Sequence, residues 1–161
     1  MPSILVIEDD RNLRMILLQI LEQAGYTVAE AADGEEALGR LETVQADLVI
    51  TDILMPEKEG IETIVSLRRQ RPGIKIMAMS GGGRVGASHC LEMAREFGAD
   101  ASISKPFNRK DMLAAVQGLI GPGQPAAAQP QVAAASAGQA PSAETAATKQ
   151  VSTRRRSANP H

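Results

Sequence analysis

The chain has 161 residues and a formal net charge of −2, a size that suits one ordinary domain and a charge that gives no sign of a nucleic-acid partner. The single cysteine excludes an intrachain disulfide and fits a reducing, cytoplasmic setting. The longest apolar runs are far shorter than a membrane span, so no insertion into a membrane is expected. With no Trp, one Tyr and two Phe, the core must be built from aliphatic side chains.

The composition changes sharply at Gly121. Residues 121–161 contain no Leu, Ile, Phe, Met, Trp or Tyr, so they cannot bury enough apolar surface to offset the entropy cost of ordering. We therefore predict a folded domain over residues 1–120 and a disordered, Ala/Pro-rich tail over residues 121–161. The tail carries Glu144 against four basic residues, a net charge of +3, which leaves −5 for the domain.

Strand and helix signals alternate along the domain. A continuous apolar run predicts a buried strand at 4–7, mostly apolar segments predict strands at 48–51 and 74–79, and weaker or shorter patterns predict strands at 27–31 and 101–104. Apolar residues at helical spacing predict helices over 13–21, 35–43, 61–68, 87–97 and 112–120, each after one strand. Such an alternation indicates an α/β fold in which helices cover both faces of a parallel sheet. We predict a flavodoxin-like, doubly wound, five-stranded sheet in the order 2-1-3-4-5.

Polar residues follow the strands at one edge of this sheet. Glu8 and Asp9 follow the first strand, Asp52 the third, Ser80 the fourth and Lys105 the fifth. Because the first and third strands are neighbours in the predicted order, their carboxylates converge, and crowded carboxylates raise one another's pKa unless a cation compensates. Carboxylate oxygens of this kind suit Mg²⁺, which often also binds a phosphate oxygen. The lysine and the hydroxyl on the opposite rim suit the remaining phosphate oxygens.

The motifs ILVIEDD, TDILMP, MSG and ISKPF, in this order and each at the end of its own strand, resemble the receiver domain of two-component response regulators. The resemblance covers residues 3–120. It implies that Asp52 is the phosphoacceptor and also binds the metal. It further implies that Asp9 binds Mg²⁺ directly, Glu8 through water, and Leu54 through its backbone carbonyl.

The resemblance also implies roles for the opposite rim and for partners. Ser80 matches the hydroxyl that turns toward the phosphoryl group, Lys105 matches the lysine that pairs with it, and the Lys105–Pro106 bond matches one that is cis in this family. The protein would accept phosphate from a sensor histidine kinase or a histidine phosphotransfer protein. It would signal through phosphorylation-dependent contact with a downstream protein that the sequence leaves open. It would not be an enzyme, although it would assist its own phosphorylation and dephosphorylation. Since residues after 120 contain no second core, a stand-alone regulator or phosphorelay intermediate is expected.

Two features depart from the family pattern. The position three before Lys105 usually carries an aromatic residue that reports phosphorylation, and here it is Ser102. The segment 80–86 is unusually rich in glycine, which leaves its backbone little restrained. We therefore expect this segment to be a mobile lid by the phosphorylation site that gains hydrogen-exchange protection at 81–88 on phosphorylation.

Two other classes of protein compete with this interpretation. An aspartate-nucleophile phosphatase of the haloacid dehalogenase type places a second Asp two residues after the nucleophile, but that position is Leu54. A flavodoxin-like cofactor binder needs a phosphate-cradling loop after the first strand, and Glu8, Asp9 and Asp10 would repel the phosphate instead.

Overall fold

The computed structural model describes residues 1–54, 59–81 and 87–124. Residues 82–86 of the glycine-rich segment and residues 125–161 of the predicted disordered tail therefore lie outside the described residues. Contacts divide the chain into two units, Met1–Ala128 and Gln129–His161, and all described residues belong to the first.

Ten elements alternate between strand and helix. They are β1 (Ser3–Ile7), α1 (Arg11–Gln23), β2 (Thr27–Ala31), α2 (Gly34–Thr43), β3 (Leu48–Asp52), α3 (Glu59–Gln70), β4 (Lys75–Gly81), α4 (Ala87–Glu96), β5 (Ala101–Lys105) and α5 (Arg109–Ile120). The strands are all parallel and lie in the order β2-β1-β3-β4-β5, which confirms the predicted flavodoxin-like sheet. No helix in the described ranges combines the length and apolar character that a membrane crossing requires.

The apolar side chains of the sheet divide between two cores, because successive residues of a strand point to opposite faces. On β1, Leu5 and Ile7 lie in one core with α2, α3 and α4, whereas Ile4 and Val6 lie in the other with α1 and α5. All four of these side chains are fully buried. The sheet is therefore covered on both faces, as the continuous apolar run of β1 predicts.

Side-chain caps fix where three helices begin. The side chain of Asp10 caps α1 by accepting hydrogen bonds from the amides of Asn12 and Leu13. Asp33 caps α2 by accepting from the amide of Glu36, and Asn108 caps α5. Because Asp10 serves the helix, its carboxylate is committed there, and only the two acidic residues before it remain for chemistry.

A network of ion pairs and hydrogen bonds joins α3 to the amino ends of β4 and β5. Arg68 donates to the carbonyl oxygens of Gly98 at 2.8 Å and Ile74 at 2.6 Å, and it pairs with the carboxylate of Asp100. Asp100 in turn accepts from the amide of Ile76 at 2.8 Å. Gly98 has a φ of +116°, and a Cβ at this position would lie 2.8 Å from Arg68 Cγ. Glycine is therefore required here both by its backbone and by the close approach of the arginine.

The first residues after α5 pack against the domain. The hydroxyl of Tyr26 donates to the carbonyl oxygen of Gly121 at 2.8 Å. A Cβ built on Gly123 would lie 2.3 Å from the carbonyl oxygen of Ala24. Residues 121–123 thus contact the turn between α1 and β2. The boundary between domain and tail at residue 120 stays a prediction.

Candidate functional site

Three acidic side chains meet at the carboxyl ends of β1 and β3. The two strands pair with Ile7 opposite Thr51, so the next residues, Glu8 and Asp52, are also neighbours. One carboxylate oxygen from each of Glu8, Asp9 and Asp52 lies within 4.8 Å of the others. Glu8 is 1% exposed and Asp52 5% exposed, whereas Asp9 is open to solvent. The cluster is thus a pocket with two buried walls and one accessible rim.

Lys105 closes the pocket from β5. Its Nζ donates to Glu8 Oε2 and to Asp52 Oδ2, each at 2.9 Å. This lysine reaches across β4, since Lys105 pairs with Gly81 and β4 lies between β5 and β3. The Lys105–Pro106 peptide bond is cis, as the family resemblance implies. Sequence reasoning placed the lysine on the opposite rim for a phosphate, but it did not predict that the lysine binds two of the carboxylates directly.

Burial and neighbouring charges shift the pKa values of two groups in the pocket, Glu8 and Lys105. Burial raises the pKa of Glu8, and the negative charge of Asp52 adds to this, while the hydrogen bond and positive charge of Lys105 oppose it. Burial lowers the pKa of Lys105, but its hydrogen bonds to Asp52 and Glu8 outweigh that effect and leave the pKa raised. The lysine therefore stays protonated, while the carboxylates exceed it in number and still repel one another.

The other predicted site residues flank the cluster. The amide of Leu54 donates to Asp52 Oδ1 at 3.0 Å, which holds the backbone at 54 beside the carboxylate. Ser80 is fully buried and follows Met79, the residue opposite Asp52 in the pairing of β3 with β4. Its hydroxyl donates to the carbonyl oxygen of Gly81 at 3.4 Å. Ser102 is half-buried on β5, opposite Ala78.

Gly60 is a residue of the site that sequence reasoning missed. A Cβ at this position would lie 2.4 Å from the carbonyl oxygen of Asp52 and 2.6 Å from the Cα of Ile53. The start of α3 therefore packs directly on the backbone that carries Asp52, and only glycine permits this distance. A glycine near the start of a helix that follows the TDILMP motif was the available signal.

The donor set of the pocket fits a hard divalent cation. Three carboxylates at this separation carry more negative charge than one lysine neutralises, and carboxylate oxygens are the ligands that Mg²⁺ takes in proteins. An accessible rim at Asp9 leaves room for the waters that such an ion retains. The arrangement can thus hold a metal ion next to a carboxylate that is itself hydrogen-bonded and oriented. The alternative phosphatase gains no support, because Leu54 supplies no second acid.

Comparisons with known proteins agree with this geometry. The family model described as the response regulator receiver domain matches residues 4–117. The transcriptional regulatory protein CpxR of Escherichia coli strain K12 is 36% identical over 120 residues, which are 74% of this chain and 50% of that protein. The chain thus spans about half the length of this relative. The response regulator receiver protein CpdR of Brucella abortus is 35% identical over 121 residues, which are 98% of its length and 74% of this chain.

A solved structure shows the same fold. The CheY-like response regulator receiver domain protein of Methanospirillum hungatei JF-1 is 32% identical and superposes with a TM-score of 0.67. The superposition covers 73% of this chain and 92% of that one. The sheet order, the acidic pocket and the match of the family model over most of the chain lead to one conclusion: this chain belongs to the family of response regulator receiver domains.

Proposed function

We propose that this chain is a phosphoacceptor in which Asp52 receives a phosphoryl group while Mg²⁺ is bound by Glu8, Asp9, Asp52 and the backbone carbonyl of Leu54. The observation that carries the proposal is the acidic cluster of a receiver domain, oriented by one lysine that binds two of its carboxylates. The metal would neutralise charge on the phosphoryl oxygens. The chain would act as a switch that consumes its own acyl phosphate, not as an enzyme with a separate substrate.

The proposed transfer step is supported by the contacts of Asp52. A carboxylate oxygen of Asp52 attacks the phosphorus of a phosphohistidine, the P–N bond breaks, and the histidine nitrogen keeps the electron pair and takes a proton from solvent. Lys105 is held beside the attacking carboxylate by Glu8, so its ammonium group is in place to pair with a phosphoryl oxygen as the transfer proceeds. Attack of water on the phosphorus later breaks the acyl phosphate and restores the carboxylate. Ser80 would supply a further hydrogen bond to the phosphoryl group, which requires its hydroxyl to leave Gly81.

The proposal is tested by incubating the protein with Mg²⁺ and a small acyl-phosphate donor such as acetyl phosphate. The mass of the intact protein is then measured. We expect a mass gain of one phosphoryl group for the wild type and none after chelation of the metal. Asp52→Asn, a nearly isosteric change, should abolish the gain. Asp47→Asn is the matched control, because Asp47 lies just before the other end of β3 and binds the amide of Ser3 there. Labelling of Asp52→Asn at the wild-type rate would show that Asp52 is not the acceptor.

The phosphodonor is proposed to be a sensor histidine kinase or a histidine phosphotransfer protein that docks on α1. Met15 is 57% exposed and Ile16 52% exposed on this helix, which begins directly after the acidic turn. Exposed apolar side chains beside a reactive site are typical of a protein-binding surface. The double change Met15→Ser and Ile16→Ser should slow transfer from a phosphorylated histidine phosphotransfer domain and leave labelling by acetyl phosphate unchanged. Equal loss with both donors would place the defect in the pocket and contradict docking on α1.

A downstream protein partner is proposed without a chemical identity. Ser102 stands on β5 where the family usually has an aromatic side chain. We propose that the route from the pocket to the output surface therefore differs from the family pattern. The predicted response of residues 81–88 to phosphorylation stays a prediction.

A further inference from the structure

Arg14 connects α1 to the backbone that carries the acidic pair. Its side chain is 15% exposed, and its Nη1 donates to the carbonyl oxygen of Glu8 at 2.6 Å. Its Nε donates to Glu30 Oε2 on β2 at 2.8 Å. One guanidinium group thus bridges the turn after β1, the helix that follows it and the neighbouring strand.

The carbonyl group of Glu8 requires such a partner because the strand pairing ends there. The registers of β1 with β2 and with β3 stop at Ile7, and the amide of Glu8 donates to the carbonyl oxygen of Ala31 at 3.2 Å. An unpaired carbonyl group beside a buried side chain is costly, and a guanidinium provides a charge-assisted hydrogen bond. Arg14 therefore extends the hydrogen bonding of β1 by one residue into the site.

This hydrogen bond fixes the direction in which Asp9 leaves the backbone. The carbonyl group of Glu8 belongs to the peptide plane that joins Glu8 to Asp9, so holding the oxygen sets the rotation of that plane. On the other side of Asp9, the amide of Asp10 donates to Glu8 Oε1 at 3.2 Å, and Asp10 caps α1. We propose that Arg14 is a positioning residue that holds the Asp9 carboxylate toward Glu8 and Asp52 and thereby sets the affinity of the pocket for a divalent cation.

Positioning and simple charge predict opposite effects on metal affinity. Arg14 is a cation close to an acidic metal site, so by Coulomb's law its removal should strengthen the binding of Mg²⁺. If Arg14 instead orients Asp9, its removal should weaken the binding, because a metal ligand then loses its fixed direction. The sign of the change in affinity therefore separates the two roles.

The experiment is a titration of the protein with Mg²⁺, monitored by calorimetry and by the amide NMR signals of Asp9 and Asp10. We expect Arg14→Met to lower the affinity about tenfold, the size typical of residues that orient metal ligands. Arg14→Lys should recover part of the loss, since an ammonium group can still donate to the Glu8 carbonyl. Arg11→Met is the matched control, because Arg11 is an exposed arginine of the same helix and closer to the pocket in sequence. The affinity of the Arg11→Met variant for Mg²⁺ should stay unchanged or rise slightly.

Unchanged or tighter Mg²⁺ binding by a folded Arg14→Met protein would overturn the inference. If that variant does not fold, Arg14→Lys serves in its place, because it keeps the positive charge and loses the guanidinium that contacts both Glu8 and Glu30. We expect Arg14→Lys to lower the affinity by a smaller factor, and an unchanged affinity would again overturn the role of Arg14. The inference rests on the metal site of the proposed function. Failure of the wild type itself to bind Mg²⁺ would refute that site, whereas equal binding by wild type and variants would refute Arg14 alone.

Discussion

Both ends of the sheet carry a cluster of charged side chains, and the two clusters are balanced differently. At the amino end of the sheet, the carboxylate of Asp100 pairs with Arg68 and Lys75 and accepts a hydrogen bond from the amide of Ile76. At the carboxyl end, three carboxylates lie close together, and Lys105 pairs with two of them, Glu8 and Asp52. In the first cluster the carboxylate of Asp100 is fully compensated by cations of the protein, so the cluster contributes to stability. The second retains an excess of negative charge, so it favours a bound cation. The same kind of side chain thus stabilises the fold at one end and serves function at the other.

The pKa of one carboxyl group at each end shows the same contrast. Burial raises the pKa of Asp100, but the amide of Ile76 and then Arg68 outweigh burial and leave the pKa lowered. At the other end, burial dominates and the pKa of Glu8 is raised despite its bond to Lys105. Ionisation is therefore favoured by folding at Asp100 and opposed by folding at Glu8.

The largest expected effect on stability comes from breaking the amino-end cluster. Arg68→Met should lower the free energy of unfolding by about 3 kcal/mol, because Asp100 and the carbonyl groups of Gly98 and Ile74 lose their donor. Chemical denaturation measures this change, and Arg69→Met, at the exposed next position of α3, is the control. Phosphorylation of the folded variant by acetyl phosphate should proceed at the wild-type rate. A stable variant that fails to label would mean that the two ends are coupled.

A change at the carboxyl end of the sheet should instead raise the stability of the protein when no metal is present. Asp9→Asn should raise the melting temperature in the presence of a chelator, with a gain of about 1 kcal/mol from relief of repulsion among the carboxylates. Added Mg²⁺ should stabilise the wild type and have little effect on the variant, because one ligand has been weakened. Thermal melts with and without the metal measure both effects, with Glu42→Gln, an exposed acid on α2, as the control. A variant that melts below the wild type without metal would show that Asp9 supports the fold.

The pH dependence of the free energy of unfolding should reveal the contribution of the ionised Asp100 carboxylate. Because its pKa is lowered from the ordinary value of 3.8, the unfolded chain takes up the proton first. The stabilisation is therefore fully present above pH 3.8 and is lost as the pH falls through the lower pKa of the folded state. The stability difference between wild type and Asp100→Asn should be constant near neutral pH and shrink in acid. Denaturation at several pH values measures this, and a difference that persists undiminished in strong acid would exclude an ionised Asp100 as its source.

The sequence predicted the sheet well because its signals are local. The apolar runs of β1, β3 and β4 and the helical spacing of apolar residues do not depend on distant contacts. The convergence of Glu8, Asp9 and Asp52 also followed, since the strand order brings their strand ends together. The bond from Arg14 to a backbone carbonyl did not follow, because backbone carbonyl groups leave no mark in a sequence. Similarly, Arg68 was predicted only as part of an apolar-patterned helix, since its partners lie on two other segments, before β4 and before β5.

The smallest expected effect concerns the chain just after α5. A truncation after Gln124 should leave the free energy of unfolding unchanged, because it keeps Gly121 and Gly123 against the turn between α1 and β2. A truncation after Ile120 should cost about 1 kcal/mol, since the Tyr26 hydroxyl loses its acceptor. Tyr26→Phe separates this hydrogen bond from the other contacts: it should destabilise the chain that ends at Gln124 and have less effect on the chain that ends at Ile120. Equal effects in both chains would show that Tyr26 acts through its ring in the core and not through Gly121. Destabilisation by the truncation after Gln124 itself would contradict the prediction that the remaining residues add nothing to the fold.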